Sequence, residues 1–262
     1  MQSDAGSPGK RHIVVTGAGT GIGRAIALRL ASEGADLSLL ARDVSRLEQT
    51  AEAAERLGAQ RIEFAACDVR DRAQVDARFA ELAARLGPVH ALVANAGLGG
   101  PNEAGAGDRF DDLVATNLTG TYNCLRAAQR VLAPEPGPRH LVVVSSILAR
   151  IGVAGYTGYC ASKAALLGLV RALAMELAPD RIQVNAVCPG WVDTAMAREG
   201  LEGMARALDI TFEEAREQAL RDVPLGRMSR PEEIAGAVSW LLGPDARGAT
   251  GQGFDINGGA WM

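Results

Sequence analysis

Tyr159 and Lys163 stand four residues apart in YCASK (159–163). Four residues is about one helical turn, so on a helix the phenol and the ammonium share a face. A free phenol titrates near 10 and is a poor proton shuttle at neutral pH. A cation one turn away favours the phenolate; lowering the pKa by about three units takes roughly 4 kcal/mol of differential stabilisation, which the lysine could supply in a dry cleft if a bound cationic ring aided it. Tyr159 could then exchange a proton with a substrate oxygen. Ser146 ends an apolar run thirteen residues earlier and could donate to an oxygen that gains charge. Ser145 precedes it and, on a strand, points to the opposite face, so only one of the two reaches such a site. Read singly, each feature has a plainer alternative: YxxxK pairs also arise on solvated helix faces, and serines end many strands.

A second chemistry-bearing stretch lies near the N-terminus. TGAGTGIG (16–23) follows the apolar run HIVVT and opens an amphipathic stretch. A glycine turn feeding a helix N-terminus offers backbone N–H groups and the positive end of the helix dipole to a pyrophosphate. Gly17 permits the turn, Gly21 lets the backbone approach phosphates, and Gly23 lets helix and sheet close together, with Thr20 and Ile22 in the same turn. The spacing is GxxxGxG rather than GxGxxG, and glycines also serve turns for steric reasons alone. In dinucleotide folds an acid near the end of the second strand selects a free ribose 2′-hydroxyl. Here the run ends LLARD: Ala41 has no carboxylate, while Arg42 could pair bidentately with a 2′-phosphate or stand as a solvated surface residue. NADP(H) is favoured, with NAD(H) as the alternative. Asp43 is placed to cap the next helix. Asp68 could accept from an adenine amino group, and Asn95, Ala96 and Gly97 end the fourth apolar run, where such sheets bind ligands. Helix-cap or turn roles remain open for all four.

The elements that must position these residues follow from alternation. Strands are expected at 12–16, 35–41, 61–67, 88–94, 139–146, 181–188 and 251–256. Helices are expected at 21–34, 44–58, 72–86, 108–132 (with room for a break near 117–120), 156–178 and from Pro231, with a looser helical region over 195–221 and a turn at 133–138. Alternating strands and helices imply right-handed crossovers and a parallel sheet covered on both faces. The fold class is therefore α/β, one doubly wound domain over 11–262 with a seven-stranded parallel sheet, after a flexible tail at 1–10.

Composition narrows the function. The chain has 262 residues, 48% hydrophobic and 22% charged, with a net charge of −4. The lack of a basic run argues against nucleic acid, and no apolar stretch reaches the ~18 residues of a membrane span. Cys67, Cys124, Cys160 and Cys188 form no CxxC and only three histidines exist, so no metal site is expected. Reduced thiols and the lack of a leader suggest a cytoplasmic protein.

With TGAGTGIG, CDV (67–69), NAG (95–97), TNLTG (116–120), VVSS (143–146), YCASK, CPGWVDT (188–194) and RPEEIA…GQGFDINGG (230–259), the chain resembles the short-chain dehydrogenase/reductase family over 11–262. The resemblance implies a Rossmann-type sheet and a site of Ser146, Tyr159, Lys163 and Asn117. Tyr159 would be the general acid/base. Lys163 would lower its pKa and bind the nicotinamide ribose, Ser146 would orient substrate, and Asn117 would hold a water in a proton relay. It also implies cofactor contacts from Val69 of CDV and from Pro189, Gly190, Val192 and Thr194, the last with the nicotinamide carboxamide. Ala94 replaces the first asparagine of the usual NNAG, and Ala149 stands where glycine is frequent. Residues 191–221 would cover the substrate. More loosely, DITFEEAREQALRDVPLGR resembles polyketide ketoreductases and 3-hydroxyacyl-CoA dehydrogenases.

The expected function is hydride transfer between NADP(H) and a ketone or secondary alcohol, the substrate being a 3-oxoacyl thioester or related ketone. NAD-dependent oxidation of a 3-hydroxyacyl-type alcohol is the alternative within the class. A dinucleotide-sensing regulator is the alternative outside it, and a methyltransferase would leave YCASK without a role. A homotetramer, or a homodimer, is the expected assembly.

Overall fold

The computed structural model describes residues 11–134, 137 and 139–262. The expected tail at 1–10 and three of the six residues of the turn at 133–138 lie outside them. Seven strands, β1 (His12–Thr16), β2 (Asp36–Ala41), β3 (Ile62–Ala66), β4 (Ala91–Ala94), β5 (Arg139–Val144), β6 (Ile182–Pro189) and β7 (Gly253–Ile256), form one parallel sheet in the order β3-β2-β1-β4-β5-β6-β7. The central strands are buried on both faces, which is why they read as unbroken apolar runs.

One face is covered by α1 (Gly21–Ser32), α2 (Val44–Arg56) and α9 (Pro231–Leu241), which supply Ile26, Leu30, Leu47, Ile234 and Val238 to a core with Ile13, Val15 and Val93. The other is covered by α3 (Arg72–Leu86), α5 (Thr121–Val131) and α6 (Thr157–Leu177), whose Phe79, Leu125, Leu166 and Val170 pack on Val14, Leu92 and Leu141. The order reverses between β1 and β4, and the crevice beyond the carboxyl ends of these strands is where such a sheet binds ligands.

Three stretches differ from the sequence expectation. β4 starts at Ala91 rather than 88, because Val89 exchanges backbone hydrogen bonds with Val131 and Ala133 at the end of α5. The helix expected over 108–132 runs as α4 (Phe110–Val114), a π-helical turn (Ala115–Gly120) and α5, so the break is a widening rather than an interruption. The region at 195–221 is two helices, α7 (Ala195–Leu208) and α8 (Phe212–Leu220). Asp209 in the left-handed region (φ +53°) ends the first, and a Thr211–Glu214 capping box starts the second. Among the described residues no helix is long and apolar enough to cross a membrane.

Candidate active site

The end of β5 and the first two turns of α6 meet at the carboxyl edge of the sheet. Lys163 Nζ lies 5.7 Å from the Tyr159 ring centroid, so the two side chains share a face as their spacing requires. Lys163 is only 5% exposed. Its Nζ donates to Val144 O (3.0 Å), while the Ser145 hydroxyl donates to the Lys163 backbone carbonyl (2.9 Å). Strand alternation turns Ser146 the other way. Its hydroxyl accepts from Leu148 N (3.1 Å), capping the 3-10 turn Ile147–Ala149, and hydrogen-bonds the Tyr159 phenol. One serine of the pair reaches the phenol and the other locks the helix.

The chain's own groups act on the phenol's ionisation in the upward direction. Burial pushes Tyr159 above its ordinary 10, with smaller upward pushes from Cys160 and Tyr156; the Ser146 hydrogen bond only partly offsets this. Desolvation also brings Lys163 down to about 8. An ammonium 5.7 Å from the ring centroid and committed to Val144 O does not outweigh the loss of water around the phenol. The side chains converge as expected, but the chain's own groups hold Tyr159 in its proton-bearing form at neutral pH.

Asn117 sits in the π-helical turn and is fully buried. Its Oδ1 accepts from Leu98 N (2.7 Å), and its Nδ2 donates to Leu98 O (3.0 Å) and Ser162 Oγ (3.1 Å). A Cβ on Gly97 would come 3.1 Å from Asn117 Oδ1 and 3.5 Å from Lys163 Nζ. The backbone of the β4 loop therefore lies against both polar groups, and α6, the π turn and that loop form one packed unit.

The glycine turn lies across the crevice. Gly17 (φ +67°) and Gly21 (φ +52°) occupy the left-handed region that glycine tolerates. A Cβ on Gly23 would fall 2.2 Å from Gly17 O. Asn95 Nδ2 donates to Thr16 O (3.0 Å) and Gly17 O (3.3 Å), and Thr16 Oγ1 accepts from Asn95 N and Ala96 N (both 3.1 Å). The Asn95 side chain thus staples the end of β4 to the turn, which is the turn role left open above. Thr20 is exposed at the start of α1 and its side chain caps nothing there, whereas Ile22 packs on the core. Thr194 caps α7 by accepting from Ala197 N (3.3 Å), and a Cβ on Gly21 would lie 3.2 Å from its methyl. Pro189 ends β6, Gly190 packs against Asn257, and buried Val192 bridges to Ser229.

A groove of about 580 Å³ runs from the glycine turn past the ends of β2 and β4, and Arg42, Asp68, Val69, Ala96 and Gly97 line it. Three guanidiniums face it, two already held by acids. Arg46 pairs with Asp43 (3.2 Å), which also caps α2 as expected. Arg70 grips Asp68 through Nε (3.0 Å) and Nη2 (2.6 Å), holding that carboxyl below its usual range. Asp68 is thus engaged by Arg70 on both oxygens. Arg42 makes no hydrogen bond or ion pair among the described residues. Gly17 N and Ala18 N donate to Leu40 O (2.7 and 3.3 Å), which anchors the turn to β2; the groove along the rest of the turn and an uncommitted cation near the end of β2 fit a dinucleotide with a 2′-phosphate. Arg46 and Arg70 escaped the sequence reading, although RDVSR places Arg46 four residues, one turn, after Arg42.

Similarity to known proteins agrees with this geometry. Residues 17–260 match the family profile described as enoyl-(acyl carrier protein) reductase. A putative ketoacyl reductase of Streptomyces coelicolor is 37% identical over 252 residues, covering 94% of this chain and 95% of the relative. The 3-oxoacyl-(acyl-carrier-protein) reductase FabG of Staphylococcus aureus is 34% identical, covering 96% and 98%. Among solved structures, a variant of actinorhodin polyketide ketoreductase with NADPH superposes with a TM-score of 0.89 at 35% identity, covering 96% of this chain and 97% of that one. A phenol, a lysine and a serine converging beside a glycine-turn groove, in a chain similar over nearly its whole length to these reductases, make this protein an oxidoreductase of the short-chain dehydrogenase/reductase family.

Proposed function

We propose that the chain reduces the keto group of a 3-oxoacyl thioester or a related ketone with NADP(H). The observation that carries this reading is geometric: the half-buried Tyr159, beside Ser146, converges with Lys163 next to the groove that Arg42 and the glycine turn line. A phenol that carries its proton is an acid, and reduction needs an acid at the carbonyl oxygen. The relatives named as ketoacyl and 3-oxoacyl reductases support the substrate class. Alcohol oxidation with NAD(H) would want an acid near the end of β2, where Ala41 and Arg42 stand instead.

The glycine turn offers its N–H groups to the pyrophosphate, Arg42 takes the 2′-phosphate, Thr194 meets the carboxamide and Lys163 the nicotinamide ribose. When bound, the reduced cofactor supplies the hydride. Ser146 donates a hydrogen bond to the substrate oxygen and fixes its position. Tyr159 gives its proton to that oxygen as charge builds on it. Lys163 lends positive charge to the phenolate left behind, and Asn117, packed against Gly97 beside Lys163 Nζ, holds the inner end of a proton path. Residues 191–221, carrying α7 and α8, cover the substrate: a Cβ on Gly99 would lie 2.8 Å from Met196 Sδ, so the first turn of α7 rests on the loop after β4. We also assign a cytoplasmic homotetramer. Exposed Tyr122, Met175 and Trp240 on α5, α6 and α9 support the assembly, and four free cysteines support the compartment.

Loss of NADPH absorbance across a panel of 3-oxoacyl thioesters and cyclic ketones tests the reading. Turnover is expected on at least one class, and Tyr159→Phe should lower kcat between about 100- and 10,000-fold. A Tyr159→Phe enzyme with undiminished kcat would refute the assignment.

A further inference from the structure

The helix that carries Tyr159 and Lys163 has no cap of its own. Tyr156 occupies the N-cap position of α6 and its side chain caps nothing. The duty falls to Asn102, 54 positions upstream of Tyr156 in the loop after β4 and 8% exposed. Its Oδ1 accepts from Gly158 N (2.7 Å), and its Nδ2 donates to Thr157 Oγ1 (2.9 Å) and Asp108 Oδ1 (3.0 Å). Its backbone N–H donates to Gly155 O (2.8 Å). Asp108 in turn accepts from Phe110 N (2.9 Å), at the start of α4. One amide thus joins the β4 loop, α4 and the first turn of α6.

Packing leaves this turn little slack. Gly158 is buried, and a Cβ there would come 3.1 Å from Phe110 Cα and Leu113 Cδ1. Tyr159 is the next residue. An N–H left bare at a buried helix start costs about 1–3 kcal/mol, so the turn would shift or fray to find a partner.

We propose that Asn102 is a positioning residue for the reaction: it holds the first turn of α6 at the height from which Tyr159 reaches the substrate oxygen. It touches neither substrate nor cofactor and acts through Gly158 and Thr157. The loop that carries it lies at the substrate mouth, so strain in that loop passes to the tyrosine through one side chain. This inference rests on the proposed role of Tyr159.

The test compares the wild type with N102A, N102D and the N102D/D108N double variant, using steady-state NADPH oxidation on the best ketone and Tyr159→Phe as control. N102A removes the acceptor opposite Gly158 N. A misplacement of 1 Å costs on the order of 100-fold, so N102A should lower kcat by about tenfold or more, with KM for NADPH within about twofold. N102D sets two carboxylates against each other and should also lose activity. N102D/D108N reverses the 102–108 hydrogen bond while keeping an acceptor for Gly158 N, and should return kcat to within about threefold of the wild type. If N102A does not fold, the loss in N102D and its rescue in the double variant carry the test. Kcat within about twofold of the wild type in N102A, or a double variant no better than N102D, overturns the proposal. Tyr159→Phe retaining full activity overturns the underlying function instead.

Discussion

Arg42 is where cofactor choice can be tested against the structure. Arg46 is paired with Asp43 at 3.2 Å and Arg70 with Asp68 at 2.6 Å, so each already has a carboxylate beside it that offsets its attraction for a phosphate. Arg42 has no such commitment among the described residues. A hydrogen bond to a charged group is worth about 1.5–3 kcal/mol, and the exposure of Arg42 argues for the low end. At about 1.4 kcal/mol per factor of ten, Arg42→Ala should cost kcat/KM for NADPH roughly tenfold. Kcat/KM for NADH, which has no 2′-phosphate, should stay within about twofold. Arg42→Asp should move the ratio further toward NADH, because a carboxylate then faces the phosphate. The pair is solvent-accessible, so the wild-type preference should shrink as ionic strength rises and the Debye length falls below about 8 Å. Initial rates with both cofactors on one ketone, at low and high salt, measure all of this. An NADPH/NADH ratio unmoved by Arg42→Ala would refute the argument, as would a larger shift from Arg46→Ala than from Arg42→Ala.

Other outcomes follow from the same geometry. Gly97→Ala would bring a methyl 3.1 Å from Asn117 Oδ1 and 3.5 Å from Lys163 Nζ, so kcat should fall about tenfold with little change in KM for NADPH, as steady-state kinetics would show. Gly23→Ala would place a Cβ 2.2 Å from Gly17 O and should destabilise by about 1–3 kcal/mol, read as a lower denaturant midpoint. Lys163→Met should abolish turnover yet raise the melting temperature near pH 7. Burial brings the ammonium from 10.5 to about 8, a cost of about 3 kcal/mol, against roughly 1 kcal/mol for the lost hydrogen bond to Val144 O. Between about 8 and 10.5 the folded lysine is deprotonated while the unfolded one keeps its proton, so wild-type stability gains a rising contribution with pH there that the variant lacks. Melts across that window read the difference in slope.

How much of this was readable in the chain depends on whether an effect is local. Tyr159 and Lys163 meet because four residues make a helical turn, and Ser145 and Ser146 divide their duties because strand side chains alternate; both follow from backbone periodicity. The seven strands followed from apolar runs that a doubly covered sheet requires. The desolvation of the phenol was not legible. Spacing brings an ammonium near, but desolvation depends on everything packed around the ring, and that packing pushes the phenol upward. Asn102 was invisible for a related reason. It stands in a loop of glycines and small residues, and its partners at 157 and 158 are brought to it only by the tertiary fold. The two helices over 195–221 were blurred because Asp209, the residue that parts them, is an ordinary aspartate forced to positive φ.

The arrangement separates what must stay fixed from what can vary. Lys163 is tied to β5 twice, by its side chain to Val144 and by its backbone to Ser145. Asn117 is tied to the β4 loop through both backbone atoms of Leu98. These ties run to the central strands of the sheet, the most buried part of the molecule. The segment bearing α7 and α8 is held differently, at its ends. Trp191 O accepts from Ser229 N (2.9 Å) and Asp193 N donates to Ser229 O (2.9 Å) at one end; Leu225 N donates to Gly258 O (3.1 Å) at the other. Between these anchors few side chains are buried, Leu201, Ala205, Ala215, Leu220 and Val223 among them. A cover fastened at its margins can change its length and lining without moving the phenol, the lysine or the serine. On the proposed reading, in which this segment covers the substrate, substrate range and reaction chemistry are carried by different parts of the chain, and Met196 over Gly99 is one place where they touch.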